Sequence, residues 1–340
     1  MSLRSPGLFD LQVNGYAGVD FNDVALTAEA LDHALRAMLA AGVTRCLPTL
    51  ITATEAELSD RFAALDAAVA GSALGPAMVP GYHLEGPFLN PGAGFAGCHP
   101  VPAMVAPDIG MLRRVMATLR RPILLLTLAA EREGAEGVIR WASSQGVLVS
   151  IGHSDAGAAV VERAAAAGAR MSTHLGNGLP QMLPKLDNPI MAQLGEDRLA
   201  AGFIADGVHL PIPALRAMVR AKGIGRAVLV TDAVSAAAAP PGRYVFAGMA
   251  IDAAADGSVR TPGANTLAGS ALTLDRAVRN VIGWGIADAA GALAMASSVP
   301  AGLLGLQPEG EVDWNDDMTV AETRIGPHVY RARRQRGDAA

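Results

Sequence analysis

His83-Leu84-Glu85-Gly86-Pro87-Phe88 places a carboxylate at the end of an apolar strand. The run from Met78 to Leu84 reads as that buried strand, and Glu85 stands where it stops. Two later strands also stop on a histidine: Val147 to Ile151 leads into Gly152-His153-Ser154, and Ala169 to Thr173 leads into His174. A fourth, Ala227-Val228-Leu229-Val230-Thr231, stops on Asp232. Polar groups collected at the carboxyl ends of parallel strands are the way a (β/α)8 barrel builds an active site.

Working outward, apolar runs of strand length alternate with Ala-rich helical segments, the pattern of repeated βα units. Eight strands are expected near 8–13, 43–50, 78–84, 122–128, 147–151, 169–173, 200–204 and 227–231. The first helix is capped by Thr27, presents Ala30, Leu31, Ala34, Leu35, Met38 and Leu39 on one face, and ends at Gly42. Eight such units close most simply into a barrel; a doubly wound sheet does not so readily converge four strand ends. After Asp232 the pattern changes. Residues 240–265 read as a β-hairpin insertion, a helical pattern resumes from Leu267 through Val281 and again through Leu304, and 311–333 carry weak strand signals before a basic end at Arg331-Ala332-Arg333-Arg334. The expected division is a barrel over 1–310 and a short C-terminal segment, 311–340, left from a small β domain.

Composition narrows the class. Of 340 residues, 51% are apolar and 17% charged, with a net charge of −5, which offers no broad basic surface for nucleic acid or anionic lipid. Two cysteines, Cys46 and Cys98, are too few for a disulfide framework and fit a reducing cytosol. With no leader pattern and no long uncharged apolar run, the expectation is a soluble cytoplasmic protein with a small-molecule substrate.

Glu85, His153 and His174 are the expected metal ligands: two imidazoles and one carboxylate leave an open position on a divalent ion for water. Zn²⁺ suits this donor set, and Fe²⁺, Co²⁺ or Mn²⁺ fit the same site. Asp232 is the expected general base and acid, a role compatible with capping the segment that follows it. His209, just past the seventh strand, is a candidate substrate contact, and His99 follows a Gly-rich loop, Gly92 to Gly97, able to fold over a ligand. Gln12 and Asn14 end the first strand; amides are poor metal ligands, which argues for a single ion.

Taken in order, these motifs resemble the N-acetylglucosamine-6-phosphate deacetylases of the amidohydrolase superfamily. The resemblance runs from Asp10-Leu11-Gln12-Val13-Asn14-Gly15 through Thr173-His174-Leu175, Ala205-Asp206-Gly207-Val208-His209 and Leu229-Val230-Thr231-Asp232-Ala233. It closes with Leu267-Ala268-Gly269-Ser270-Ala271-Leu272-Thr273 and Pro300 to Leu306. It implies a distorted (β/α)8 barrel with a small β-sandwich built from both chain ends, a homodimer, and release of acetate from an amino-sugar 6-phosphate. It also implies that Glu85, His153 and His174 hold the metal and that Asp232 transfers the proton. His99, Asn177, Gly178 and His209 would contact the sugar phosphate, and Leu267, Ala268 and Gly269 would line the sugar pocket.

Three departures lie on the substrate side. The loop after His174 reads Leu175-Gly176-Asn177-Gly178-Leu179, Cys98 replaces a small residue before His99, and Lys185 stands where the family has an Arg that reaches the partner subunit's phosphate. Lysine meets phosphate as a point charge, without arginine's bidentate fork. The first strand begins by Leu8, so the β-sandwich is expected to be reduced or absent. The competing readings are a deacetylase of another N-acyl amino sugar, a cyclic-amide hydrolase on the same barrel, and a sugar-binding protein without activity.

Overall fold

Eight parallel strands form one sheet, here described from a computed structural model covering residues 3–264 and 266–332. Counting from the short N-terminal strand β1 (Leu3–Pro6), they are β2 (Leu8–Val13), β3 (Val43–Ile51), β4 (Tyr82–Glu85), β5 (Ile123–Leu128), β6 (Leu148–Ile151), β7 (Ala169–Ser172), β8 (Ala200–Ile204) and β9 (Ala227–Val230), paired in chain order from β2 to β9. The two edge strands meet just past their carboxyl ends. Asp232 N–H donates to the Gln12 carbonyl at 2.9 Å, Asn14 N–H donates to the Ala233 carbonyl at 2.7 Å, and Val13 bridges Ala233. The sheet is thus drawn into a barrel at the end that carries the candidate residues.

The crossover helices bury their apolar faces on the outside of this barrel. In the helix Ala28–Ala40, Thr27 Oγ1 accepts the N–H of Ala30, and Leu31, Ala34, Leu35, Met38 and Leu39 are buried. Gly42, at φ +79°, turns the chain from this helix into β3.

Two sequence expectations are corrected. The strand expected over 78–84 begins only at Tyr82, because Gly75–Met78 is a helical turn started by Pro76 and Val79 to Gly81 link it to the strand. The helix expected from Leu267 begins only at Leu274. Residues 267–270 form isolated bridges around a turn at Gly269 (φ +66°) instead, since Ser270 N–H donates to the Asp232 carbonyl at 2.9 Å and Ser270 bridges Ala233. Further helices follow over Ala289–Ala296 and Ser298–Leu303.

Residues 240–260 fold into a three-stranded antiparallel sheet, β10 (Gly242–Phe246), β11 (Met249–Ala253) and β12 (Val259–Arg260). Phe246, Ile251 and Val259 pack with Ile51, Val234, Ala236 and Ala268 in a small apolar cluster of their own. This cluster fixes the sheet over the mouth of the barrel. At the other end, β1 pairs with β13 (Glu311–Trp314), followed by β14 (Val320–Ile325) and β15 (His328–Arg331). Residues 3–6 therefore join the C-terminal strands in one four-stranded sheet, held also by Trp314 Nε1–H donating to Ser5 Oγ at 2.9 Å and by the Arg4–Asp313 ion pair. The expected small β unit is a reduced one. Arg333 and Arg334 of the basic end lie outside the described residues.

Asp10 ties the first and last barrel strands together below the mouth. Its Oδ2 accepts the Thr231 hydroxyl at 2.5 Å, and its Oδ1 accepts the Thr231 and Gln12 N–H groups at 3.2 and 3.3 Å. Burial outweighs these bonds and pushes the carboxyl up to about 7 from its ordinary 3.8. As pH rises the unfolded chain gives up this proton first, so the stability it confers is full below about pH 4 and gone above about pH 7. Asp10→Asn is expected to flatten the fall in Tm between pH 5 and 7.5. An unchanged slope would show that another group sets it.

Candidate metal centre and substrate cavity

Glu85 is the last residue of β4, level with Ile51 of β3 and Thr127 of β5. His153, His174 and Asp232 each stand two residues past the end of their strands, and all three take a left-handed backbone, at φ +52°, +27° and +49°. Non-glycine residues rarely occupy that region, and where they do the strain is held by the surrounding structure, commonly at functional sites. Here hydrogen bonds enforce it. Thr173 N–H is bound to the Ile151 carbonyl, Leu175 N–H to Gly202, and Asp232 N–H to Gln12, so the backbone turns sharply between fixed points.

The turns bring the side chains together. His174 Nε2 lies 3.1 Å from Glu85 Oε1 and 3.2 Å from His153 Nε2, while His153 Nε2 lies 3.5 Å from Glu85 Oε1. His153 Nδ1–H donates to the Phe95 carbonyl at 2.6 Å, which leaves the Nε2 lone pair pointing at the other ligands. Nε2 lone pairs and a buried carboxylate facing one another across about 3 Å are the donor set of a cation and fit a divalent ion. His99 joins them: atoms of Glu85, His99 and His153 lie within 4.8 Å of one another, and His99 Nδ1 pairs with Thr52 Oγ1 at 2.9 Å. His99, expected as a substrate contact, is thus also within reach of the ion.

Electrostatics follows from burial. Burial alone would raise the Glu85 carboxyl, but the adjacent His153 and His174 rings outweigh it and hold it well below the ordinary range. Burial, helped by the neighbouring His153, lowers His99 to about 3, so it stays neutral. Asp232 is pushed up to about 6, chiefly by burial. Its Oδ1 accepts the side-chain amides of Asn14 at 2.8 Å and Gln12 at 3.1 Å. Gln12 Nε2 also donates to both oxygens of Glu85 at 3.2 Å. Gln12 and Asn14 therefore present N–H groups, not lone pairs, to this side of the site, and they orient the carboxylates.

A cavity of about 620 Å³ opens above these groups, within the usual range for a small-molecule site. Asn14, Glu85, His99, His153, His174 and Asp232 lie on its inner side, joined by Asn177, Gly178, His209, Leu267 and Gly269. His209 is oriented by its Nδ1–H, which donates to Asp206 Oδ2 at 2.6 Å. Burial would raise Asp206, but this bond and two backbone N–H groups keep its carboxyl below the ordinary value. Asn177 Nδ2 donates to the His174 carbonyl at 3.0 Å. Gly178 lies so close that a Cβ there would fall 2.6 Å from His153 Nδ1.

Two expected substrate contacts, Gln12 and Ala268, do not line the cavity, and Gln12 is instead buried against Glu85 and Asp232. Ala268 is buried in the small apolar cluster, its N–H bound to the Val259 carbonyl at 3.1 Å, while Leu267 and Gly269 line the cavity. Lys185 is exposed on the loop before the helix Pro189–Gly195 and does not line the cavity of its own chain.

The structure also shows groups that the sequence reading missed. His83, fully buried, pairs with Thr49 Oγ1 at 3.2 Å and Thr127 Oγ1 at 2.8 Å. Thr127 continues to Thr173 Oγ1 at 2.7 Å, and that hydroxyl to Ser150 Oγ at 2.6 Å. This chain of hydroxyls crosses the barrel just below the ligand layer. The one available signal was the polar residue one or two places before each strand end.

Comparison with known proteins decides the family. The chain is 35% identical to the bovine N-acetylglucosamine-6-phosphate deacetylase over 340 residues, covering 96% of this chain and 81% of that protein. The chain belongs to the N-acetylglucosamine-6-phosphate deacetylase family. It is therefore a carbon–nitrogen hydrolase of the amidohydrolase fold. An N-acetylgalactosamine-6-phosphate deacetylase of Escherichia coli O157:H7 is also 35% identical, over 97% of this chain and 85% of its own length. The solved N-acetyl-D-glucosamine-6-phosphate deacetylase of Mycobacterium smegmatis superposes with a TM-score of 0.88 at 26% identity, covering 96% of this chain and 87% of that one. No family model matches the chain. Among the described residues, no helix is long and apolar enough to cross a membrane.

Proposed function

We propose that this protein hydrolyses N-acetylglucosamine 6-phosphate to glucosamine 6-phosphate and acetate. The observation that carries the reading is the convergence of Glu85, His153 and His174 beside Asp232 at the floor of one cavity. The relatives, deacetylases of N-acetylhexosamine 6-phosphates, support the same class of substrate.

In this reading Glu85, His153 and His174 hold one divalent cation, with Zn²⁺ the best match to two imidazoles and a carboxylate. Such an ion supplies Lewis acidity and eases ionisation of a bound water. Asp232, with Oδ1 fixed by Asn14 and Gln12, takes a proton from water as the water oxygen attacks the amide carbonyl carbon. His99 or His209 stabilises the oxyanion. The carbon–nitrogen bond then breaks, Asp232 returns the proton to the departing amine nitrogen, and acetate is left. Asn177, Gly178, His209, Leu267 and Gly269 position the sugar.

The reading includes a homodimer, supported by exposed Met182, Leu186 and Met191 around Lys185 beside the cavity. In such a dimer Lys185 has a second cavity to reach. It also includes a cytoplasmic location and a division near residue 310 between the barrel and the C-terminal strands.

The E. coli relative supports a second reading, in which the galactosamine epimer is the better substrate. Acetate release by the metal-loaded protein from both N-acetylhexosamine 6-phosphates and from unphosphorylated N-acetylglucosamine separates the two. A higher kcat/KM for the gluco phosphate is expected; preference for the galacto epimer would select the second reading, and no acetate from any of the three would overturn both.

A further inference from the structure

One carboxylate outside the substrate cavity ties together the loops that follow β4, β5 and β6. Glu131 stands three residues past the end of β5 and does not line the cavity. Its Oε1 accepts the Asn90 side-chain amide at 2.7 Å and the Asp155 N–H at 2.8 Å, and its Oε2 accepts the Ser154 hydroxyl. Ser154 is buried and also accepts the Ala130 N–H at 3.2 Å, so it is joined twice to the loop that carries Glu131. Hydrogen bonds to an ionised acceptor are roughly twice as strong as neutral ones, and here three of them meet on one side chain.

Both supports of the His153 imidazole lead back to this carboxylate. On the backbone side, Ser154 and Asp155 directly follow His153, whose φ of +52° has to be enforced by its surroundings, and the His153 carbonyl accepts the Asn90 N–H at 3.1 Å. On the ring side a chain of bonds runs through the Gly-rich loop. Asn90 Oδ1 accepts the Gly92 N–H at 2.8 Å, the Gly92 carbonyl accepts the Phe95 N–H at 3.1 Å, and the Phe95 carbonyl accepts His153 Nδ1–H at 2.6 Å. We propose that Glu131 is a positioning residue for the metal centre. Through Ser154 and Asp155 it sets the backbone of His153, and through Asn90 it sets the loop that orients the ring. This inference rests on the reading of His153 as a metal ligand.

The test measures the Kd of the metal-free protein for Zn²⁺, by competition with a chromogenic chelator, and the visible spectrum of the Co²⁺-loaded protein. The proteins compared are the wild type, Glu131→Ala, Glu131→Gln, Asn90→Ala and Ser154→Ala. Glu131→Ala is expected to weaken Zn²⁺ binding roughly 10- to 100-fold, the usual scale for losing the support of a ligating histidine, and to shift the Co²⁺ bands. Glu131→Gln keeps an oxygen for two of the three donors and should fall between. Asn90→Ala and Ser154→Ala each remove one arm and should also fall between. A lower Tm with wild-type Kd and Co²⁺ bands in Glu131→Ala would make the carboxylate a structural clamp only and overturns the inference. If Glu131→Ala does not fold, wild-type Kd and bands in both Asn90→Ala and Ser154→Ala are the overturning result. A wild type that binds neither ion overturns the reading of the metal centre and the inference with it, whereas a wild type that binds Zn²⁺ beside an unaffected Glu131→Ala overturns the inference alone.

Discussion

Asp232→Asn is expected to lower kcat on the order of 10²- to 10⁴-fold while metal content and Tm stay at wild-type values, the span general acid–base catalysis commands. The substitution is nearly isosteric, and the side-chain oxygen that accepts from Asn14 and Gln12 is kept. The left-handed turn at φ +49° is tolerated by asparagine as well as by aspartate. What disappears is the group able to hold a proton between water and the leaving amine. Metal analysis beside steady-state kinetics decides the matter. Turnover near the wild-type rate would remove Asp232 from the mechanism, and loss of metal together with rate would make it a ligand instead.

Gly178→Ala should damage the metal centre without contributing any charged or polar group. Gly178 has φ +62°, and a Cβ at this position would lie 2.6 Å from His153 Nδ1 and 2.7 Å from its Cε1. The imidazole would have to move, and its Nδ1–H bond to the Phe95 carbonyl would go with it. Loss of such an orienting bond typically costs 10- to 100-fold in metal affinity or activity, and here the ligand itself is displaced as well. The expected result is a folded protein with clearly substoichiometric metal and kcat/KM reduced by at least about 100-fold. Gly18→Ala is the control, since Gly18 also has positive φ, at +85°, but its Cβ would meet nothing within 4 Å. That variant should lose only about 1 kcal/mol of stability and keep its metal. Full metal occupancy in Gly178→Ala would mean that the loop after His174 yields more easily than the ring.

The two variants probe opposite kinds of information. Asp232 stands out in the chain because Ala227 to Thr231 is an apolar run ending on an acid, a pattern that depends only on neighbours in sequence. Gly178 stands out only when the His153 ring, on another strand's end, is seen above it. The same contrast runs through the whole site. Glu85, His153, His174 and Asp232 were legible because each terminates a strand, and in a parallel barrel all such ends share one face. Glu131 was not legible: it lies in a loop, and its partners Asn90 and Ser154 belong to the loops after other strands. His83 sat inside the stretch that decided the fold, yet its bonds to Thr49 and Thr127 come from the strands on either side.

The errors in the fold have a similar cause. The run from Met78 to Leu84 is apolar throughout, and hydrophobicity alone does not separate a buried helical turn from a buried strand; Pro76 made the first part helical. Leu267 to Thr273 has helical periodicity, but Asp232 and Ala233 offer backbone partners that hold it out of a helix.

The sequence by itself determined the alternation of strands and helices, the parallel barrel they imply, and the residue at each strand end, because these follow from local periodicity and from the length of each crossover. Only the tertiary structure decided how those residues meet. The left-handed turns at His153, His174 and Asp232 are held by hydrogen bonds to neighbouring strands, and the cavity is closed by a sheet anchored through its own apolar cluster. A side chain's direction over several ångströms depends on partners far away in the chain, and no local pattern encodes them.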